Sequence, residues 1–271
     1  MKIIVVGLGK MGGQISQRLQ HGGHTVAGLE ADEAVAVAAS EAGTTILTER
    51  SQALDFFGDQ PAVVWLMIPA GVVTHELTEW LSVLPSGSTI IDGGNSDFRL
   101  TRDHAATAQK MNVHFVDVGT SGGIMGLEQG FCLMIGGDAA AVKPLEPIFK
   151  TLAEPRGAYQ HFGPAGAGHY VKMVHNAVEH GMMESLAEGY HLLQAGPYEG
   201  LDLPHIAQLW QHGSIVESKL NGLVAVALKD NPTMDGIDGY VAESGEARWA
   251  LEVAKKEDIP MPAIQKAHDV R

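Results

Sequence analysis

Three observations predict a doubly wound α/β domain followed by an all-helical domain. Short apolar runs alternate with helical patterns from Lys2 to Phe162. A glycine turn, Gly7-Leu8-Gly9-Lys10-Met11-Gly12, joins the first apolar run to the first helical pattern. The strand signal then stops near Gly163-Pro164-Ala165-Gly166, and only helical patterns follow. Strands alternating with helices at this spacing define a mostly parallel sheet wound on both faces. The expected domains are 1–165 and 166–271.

The elements follow in order. Residues 2–6 form a strand, and the helix after the glycine turn runs to about Gln20. Thr25–Leu29 is the second strand, and Ala31–Ala42 is an alanine- and valine-rich helix. Ala62–Ile68 is apolar at every position, as in a strand covered on both faces. Pro69-Ala70-Gly71 ends it, and a helix continues to about Leu84. Ser88–Asp92 and Val113–Val118 read as strands flanking a helix over Leu100–Met111. Phe131–Ile135 and Tyr159–Phe162 are further strands, with a helix over Ala139–Leu152 between them. The helical region divides into 166–195, 203–212, 214–229, 245–257 and 260–271, with breaks at Pro197, Pro204, Pro232 and Pro260.

Composition narrows the function. The chain has 271 residues, 45% of them hydrophobic, enough for a sizeable core. Its net charge is −14 with no basic patch, which argues against nucleic-acid binding. An anionic substrate would need a locally positive pocket. One cysteine, Cys132, rules out an internal disulfide and fits a reducing compartment. Its apolar neighbours predict a buried strand position rather than a nucleophile. The amino terminus lacks signal-peptide character, and no apolar stretch reaches membrane-spanning length. A soluble cytoplasmic protein is expected.

The glycine turn is G-x-G-x-x-G. Alone the motif is weak, but here it follows a strand and opens a helix, the context of a Rossmann-type dinucleotide site. Gly7 allows the turn, Gly9 lets backbone approach a pyrophosphate, and Gly12 lets the helix pack on the strand. Glu30, 18 residues past Gly12, closes the second strand. A carboxylate there accepts from ribose hydroxyls and repels a 2′-phosphate, so NAD is expected over NADP. The alternative leaves Glu30 pointing to solvent. Two further glycine loops, Asp92-Gly93-Gly94-Asn95-Ser96 and Gly119-Thr120-Ser121-Gly122-Gly123, follow strands. They should meet at the same sheet edge and offer N–H groups to a polyol or carboxylate.

Lys172-Met173-Val174-His175-Asn176-Ala177-Val178-Glu179-His180 carries the chemistry. Helical spacing puts Lys172, His175, Asn176 and Glu179 on one face. A lysine and a carboxylate two turns apart can serve as base and acid, with two hydrogen-bonding side chains between. Taken alone, such a stripe is a solvated face. Met173, Met182 and Met183 read as core packing. Thirteen histidines invite a metal, and His175/Glu179 and His180/Glu184 have chelating spacing. No third ligand stands at an obvious spacing, so no metal is expected.

These segments together resemble the decarboxylating 6-phosphogluconate dehydrogenase family. The carriers are Gly7–Gly12, Asp92–Ser96, Ser121–Gly123, the run Gly166-Ala167-Gly168-His169-Tyr170-Val171-Lys172-Met173-Val174-His175-Asn176 with Glu179, and Gly245-Glu246-Ala247-Arg248-Trp249. Length and Glu30 look like the short, NAD-preferring branch. The resemblance implies that Lys172 is the base for the substrate's 3-hydroxyl and Glu179 the acid that protonates C1 after CO2 leaves. It implies that Asn95, Ser121, Gly122, Gly123, His175 and Asn176 hold the sugar acid. Ile68, Pro69, Ala70 and Asn95 would lie beside the nicotinamide half. The family usually has tyrosine after the glutamate, helping to hold phosphate, where this chain has His180. Arg271 aligns with a phosphate-binding arginine. A partner subunit's C-terminal tail also enters the family's active site, and the sequence stops before such a tail. A truncated form or an incomplete phosphate site is therefore expected. Leu186, Leu192, Leu193, Ile206 and Leu209 offer apolar surface for a homodimer or homotetramer. Two rival readings are an NAD-dependent dehydrogenase of a small unphosphorylated 3-hydroxy acid and a catalytically silent NAD-binding protein.

Overall fold

The computed structural model describes residues 1–58, 60–241 and 244–271. Two compact units, Met1–Met173 and Val174–Arg271, divide it.

The first unit holds one eight-stranded sheet. Its strands are β1 (Lys2–Val6), β2 (Thr25–Leu29), β3 (Thr45–Leu47), β4 (Val63–Leu66), β5 (Thr89–Asp92), β6 (His114–Ser121), β7 (Cys132–Gly137) and β8 (Ala158–Gly163). The spatial order is β3-β2-β1-β4-β5-β6-β7-β8. β1 to β6 run parallel, β7 is antiparallel to β6, and β8 is parallel to β7. The helices are α1 (Lys10–His21), α2 (Glu33–Glu41), α3 (Gln52–Phe57), α4 (Ala70–Val83), α5 (Phe98–Lys110), α6 (Gly126–Gln129), α7 (Ala139–Val142) and α8 (Glu146–Ala153).

The apolar runs work as a period of two requires. Ile3, Val5, Val63, Trp65 and Ile91 enter one core, while Ile4, Val6, Val64, Leu66 and Ile90 enter another. Alternate residues of each strand thus feed cores on opposite sheet faces, and every position must be apolar. The helix expected over Ala139–Leu152 is instead α7, a 3-10 turn at Lys143–Leu145, and α8. Pro144 and Pro147 each fall in the opening turn of a new segment, where a missing N–H costs little. β3 and α3 had no sequence signal, since three residues at a sheet edge give no readable period.

His104 on α5 is buried, and its Nε2 lies 2.9 Å from Thr74 Oγ1 of α4. Burial lowers its pKa, and His169 pushes the same way against Asp92 and Asp103. A histidine kept neutral in the folded state binds a proton more readily when unfolded. Its contribution is therefore fully present above the unfolded value of 6.5 and is lost as pH falls from there toward the lower folded value. Urea titrations should show stability declining below pH 6.5, with a shallower decline in His104→Gln. Equal slopes would remove His104 as the cause.

The long helix α9 (Ala167–Ala195) begins in the first unit and continues into the second. The second unit adds α10 (Leu203–Trp210), α11 (Lys219–Asp230), α12 (Glu246–Lys256) and α13 (Pro262–Val270). Its core gathers Tyr190, Ala207, Ala225 and Leu228, with Leu186 and Leu193 packed against them. α11 starts five residues later than expected, because Ser218 caps it by accepting from Asn221 N at 3.1 Å. Met173 is buried, but Met182 and Met183 are exposed, so the expected methionine core does not form. Of the leucines expected at the surface, Leu192 and Leu209 are exposed, whereas Leu186 and Leu193 serve the core. Among the described residues, no helix is long and apolar enough to cross a membrane.

Candidate active site

The glycine turn between β1 and α1 is built by two close approaches. Gly7 has φ of +83°, and a Cβ there would lie 2.5 Å from Met67 O. A Cβ on Gly12 would lie 1.9 Å from Gly7 O, so only glycine lets α1 sit this close to β1. Gly9 differs, because a Cβ there would meet nothing within 4 Å. Packing within the protein does not require glycine at that position, but an anion lying against the backbone would. α1 starts at Lys10 with no side-chain cap and no acid in its first turn, leaving its leading N–H groups for an anion. Glu30 folds over the turn instead of pointing to solvent. Its Oε2 accepts from Leu8 N at 2.6 Å and its Oε1 from Asp32 N at 3.0 Å. Each oxygen keeps a lone pair for a ribose hydroxyl. A groove of about 460 Å³ opens beside Leu8, Gly9 and Lys10, between α1 and α2. The turn fits the pyrophosphate and ribose of a dinucleotide. Glu30→Ala should weaken NAD binding about tenfold or more, as expected for a lost hydrogen bond to a charged group. Fluorescence titration with NADH checks this, and unchanged affinity would remove Glu30 from the site.

Ile68, Pro69 and Ala70 follow β4 and lead into α4. Ile68 Cγ2 would be 3.0 Å from a Cβ on Gly7, and Ile68 O would be 3.0 Å from one on Gly94. This segment therefore lies between the turn after β1 and the loop after β5. In that second loop Asp92 is fully buried, and it accepts from Gly94 N at 3.1 Å and Ser96 Oγ at 2.7 Å. The two bonds fold the loop and leave Asn95 exposed at its tip. The third expected loop is shorter than the sequence indicated. Gly119, Thr120 and Ser121 belong to β6, since antiparallel β7 extends their pairing, and the turn is Gly122-Gly123. Cys132 opposes Ser121 at the open end of β7 and is exposed, not buried as its apolar neighbours implied.

Helix α9 is seated on β6 and β7 by a buried acid and three glycines. Asp117 has no solvent exposure, and its oxygens accept from Gly166 N and His169 N, both at 2.8 Å. The sheet thus supplies acceptors for two N–H groups at the start of the helix, while Pro164 O accepts from Ala167 N at 3.0 Å. A Cβ on Gly168 would lie 2.4 Å from Met134 O, one on Gly136 2.6 Å from Gly168 N, and one on Gly119 2.3 Å from Lys172 Cβ. The stem of Lys172 therefore rests on Gly119, two residues past Asp117, whose partner on β5 is Asp92. Lys172 is 6% exposed. His169, also buried, places Nδ1 2.7 Å from Thr101 Oγ1 of α5.

The second unit carries the rest of the stripe. His175 Nδ1 lies 3.0 Å from Asn176 Oδ1 and 3.8 Å from Glu179 Oε2. Asn176 Nδ2 donates to Glu246 Oε1 at 2.8 Å. His180 is buried, while Glu179 and Arg271 are partly exposed, Arg271 directly following α13. α9 is unbroken, so Lys172, His175, Asn176 and Glu179 keep the spacing of one helical face. Among the described residues, no cluster of three His, Cys, Asp or Glu side chains forms that would hold a metal ion.

In the sequence alone Asp117 and Thr101 carry no assigned role, and Asp92, His169 and Glu246 stand only inside motifs. An available signal was the acid inside the apolar run Phe115-Val116-Asp117-Val118. A charge in a strand buried on both faces must be satisfied by something specific.

A dinucleotide turn and a lysine-bearing helix docked at the carboxyl edge of one sheet are the layout of an NAD(P)-dependent dehydrogenase. Residues 2–163 match the NAD binding domain of 6-phosphogluconate dehydrogenase, and residues 168–271 match the 6-phosphogluconate dehydrogenase C-terminal domain. The chain belongs to the 6-phosphogluconate dehydrogenase family. It is 34% identical over 269 residues to the NAD(+)-dependent, decarboxylating 6-phosphogluconate dehydrogenase of Haloferax volcanii, covering 98% of this chain and 88% of that one. Among solved structures, the Plasmodium falciparum 6-phosphogluconate dehydrogenase superposes with a TM-score of 0.85 at 27% identity. That match covers all of this chain and 61% of the longer one. The Mycobacterium tuberculosis 3-hydroxyisobutyrate dehydrogenase shares the fold, with a TM-score of 0.77 at 22% identity over 99% of this chain and 91% of that one.

Proposed function

We propose that the chain oxidises and decarboxylates 6-phosphogluconate to ribulose 5-phosphate and CO2, with NAD as oxidant. The observation that carries this reading is the single helix bearing Lys172, His175, Asn176 and Glu179, whose lysine rests on Gly119 at the sheet edge. When bound, the nicotinamide supplies the acceptor for the hydride leaving C3. Lys172 takes the proton of the 3-hydroxyl. The resulting β-keto acid loses CO2, and the electrons left behind form an enediol. Glu179 donates a proton to C1 of that enediol. His175, Asn176, Asn95, Ser121, Gly122 and Gly123 hold the sugar acid, while His180 and Arg271 serve its phosphate. Two features support NAD over NADP. Glu30 would stand against a 2′-phosphate, and the Haloferax relative is named for NAD.

The test is one assay with purified protein, 6-phosphogluconate and either NAD or NADP, measuring reduced cofactor and CO2 together. Both products in equal amounts support the reading. The fold shared with 3-hydroxyisobutyrate dehydrogenase, over 91% of that chain, keeps a second reading in play: oxidation of a small unphosphorylated 3-hydroxy acid. Reduced cofactor from such an acid, with none from 6-phosphogluconate, would favour it.

A further inference from the structure

Glu246 opens α12 directly after Gly245, whose φ is +108°. An acid in this first turn complements the helix dipole. Only 2% of Glu246 is exposed. Its Oε1 accepts from Asn176 Nδ2 at 2.8 Å, while its Oε2 is buried without a hydrogen-bond partner. A buried carboxylate oxygen without a partner costs stability, so an acid at this position must contribute something other than packing.

The hydrogen bonds define what it contributes. A carboxylate only accepts, so it fixes the Asn176 amide with nitrogen toward Glu246 and oxygen toward His175. That oxygen also only accepts, so His175 Nδ1, 3.0 Å away, must carry the proton. In the neutral ring Nε2 then keeps its lone pair and can accept from a hydroxyl. We infer that Glu246 is a positioning residue that sets, through the Asn176 amide, the imidazole tautomer His175 presents to a sugar hydroxyl. The inference rests on the proposed roles of His175 and Asn176 in substrate binding.

The decisive measurement does not depend on turnover. In ¹⁵N-labelled free protein at alkaline pH, where imidazole is neutral, long-range ¹H–¹⁵N spectra report which nitrogen of His175 is protonated. Wild type should show Nδ1–H. Glu246→Ala should move His175 toward Nε2–H, and Glu246→Gln, which keeps an acceptor, should restore Nδ1–H. With 6-phosphogluconate, Glu246→Ala should raise KM about tenfold while changing kcat far less, the size of one lost hydrogen bond. If the alanine variant does not fold, Glu246→Met fills the same volume without a strong acceptor. Unchanged Nδ1–H in the alanine or methionine variant would overturn the relay. A tautomer shift in protein that does not turn over 6-phosphogluconate would uphold the relay and remove the proposed substrate.

Discussion

Lys172→Ala is expected to lower kcat by roughly 10²- to 10⁴-fold, the usual worth of a positioned general base. NAD affinity should change less than about twofold, because the residues that fit the dinucleotide, Gly7 to Gly12 and Glu30, lie on other elements. The alternative is that Lys172 acts only as a fixed positive charge holding an anionic substrate. Lys172→Arg separates the two. Arginine keeps the charge but does not release its proton in proteins, so it should fail as a base and still rescue substrate binding. The predicted pattern is kcat lost in both variants and KM raised mainly in alanine. Glu179→Ala should also lower kcat, but at a later step, so a single-turnover experiment should still show a burst of reduced cofactor. A Lys172 variant that turns over at wild-type rate would end the proposed mechanism.

The sequence revealed what depends on period and on chain neighbours. Continuous apolar runs at β1 and β4 required covering on both faces, and alternate residues of each do enter separate cores. Glu30 was readable because its partner, the turn before α1, is a motif in its own right. Contacts that arise only from topology were not readable. Asp117 caps a helix that starts 50 residues later, and Thr101 meets His169 across 68. Glu246 meets Asn176 across 70. Nothing in the local pattern ties such residues together, and each was visible only as a polar group in an unexplained position. Cys132 shows the converse. Apolar neighbours implied burial, but its place at the open end of a strand decides exposure.

The seat of α9 gives the second large effect. Asp117→Ala leaves Gly166 N and His169 N without their acceptor in a buried place, at about 1–3 kcal/mol for each orphaned group. The variant should lose a substantial part of a marginal stability, visible as a lower urea midpoint with unchanged slope. Asp117→Asn would be no full repair, since the new amide nitrogen would face one of the two N–H donors. Gly119→Ala separates position from stability. The added methyl would lie 2.3 Å from Lys172 Cβ and 3.2 Å from Gly168 O, so the helix must shift outward. Overpacking of this kind costs about 1–3 kcal/mol, which a folded domain can survive. A displacement of about 1 Å at a catalytic group can cost on the order of 10² in rate. Gly119→Ala should therefore stay folded and bind NADH normally, yet lose about two orders of magnitude in kcat on 6-phosphogluconate. A folded Gly119→Ala protein with wild-type kcat would mean that the depth of Lys172 on β6 does not matter to the reaction.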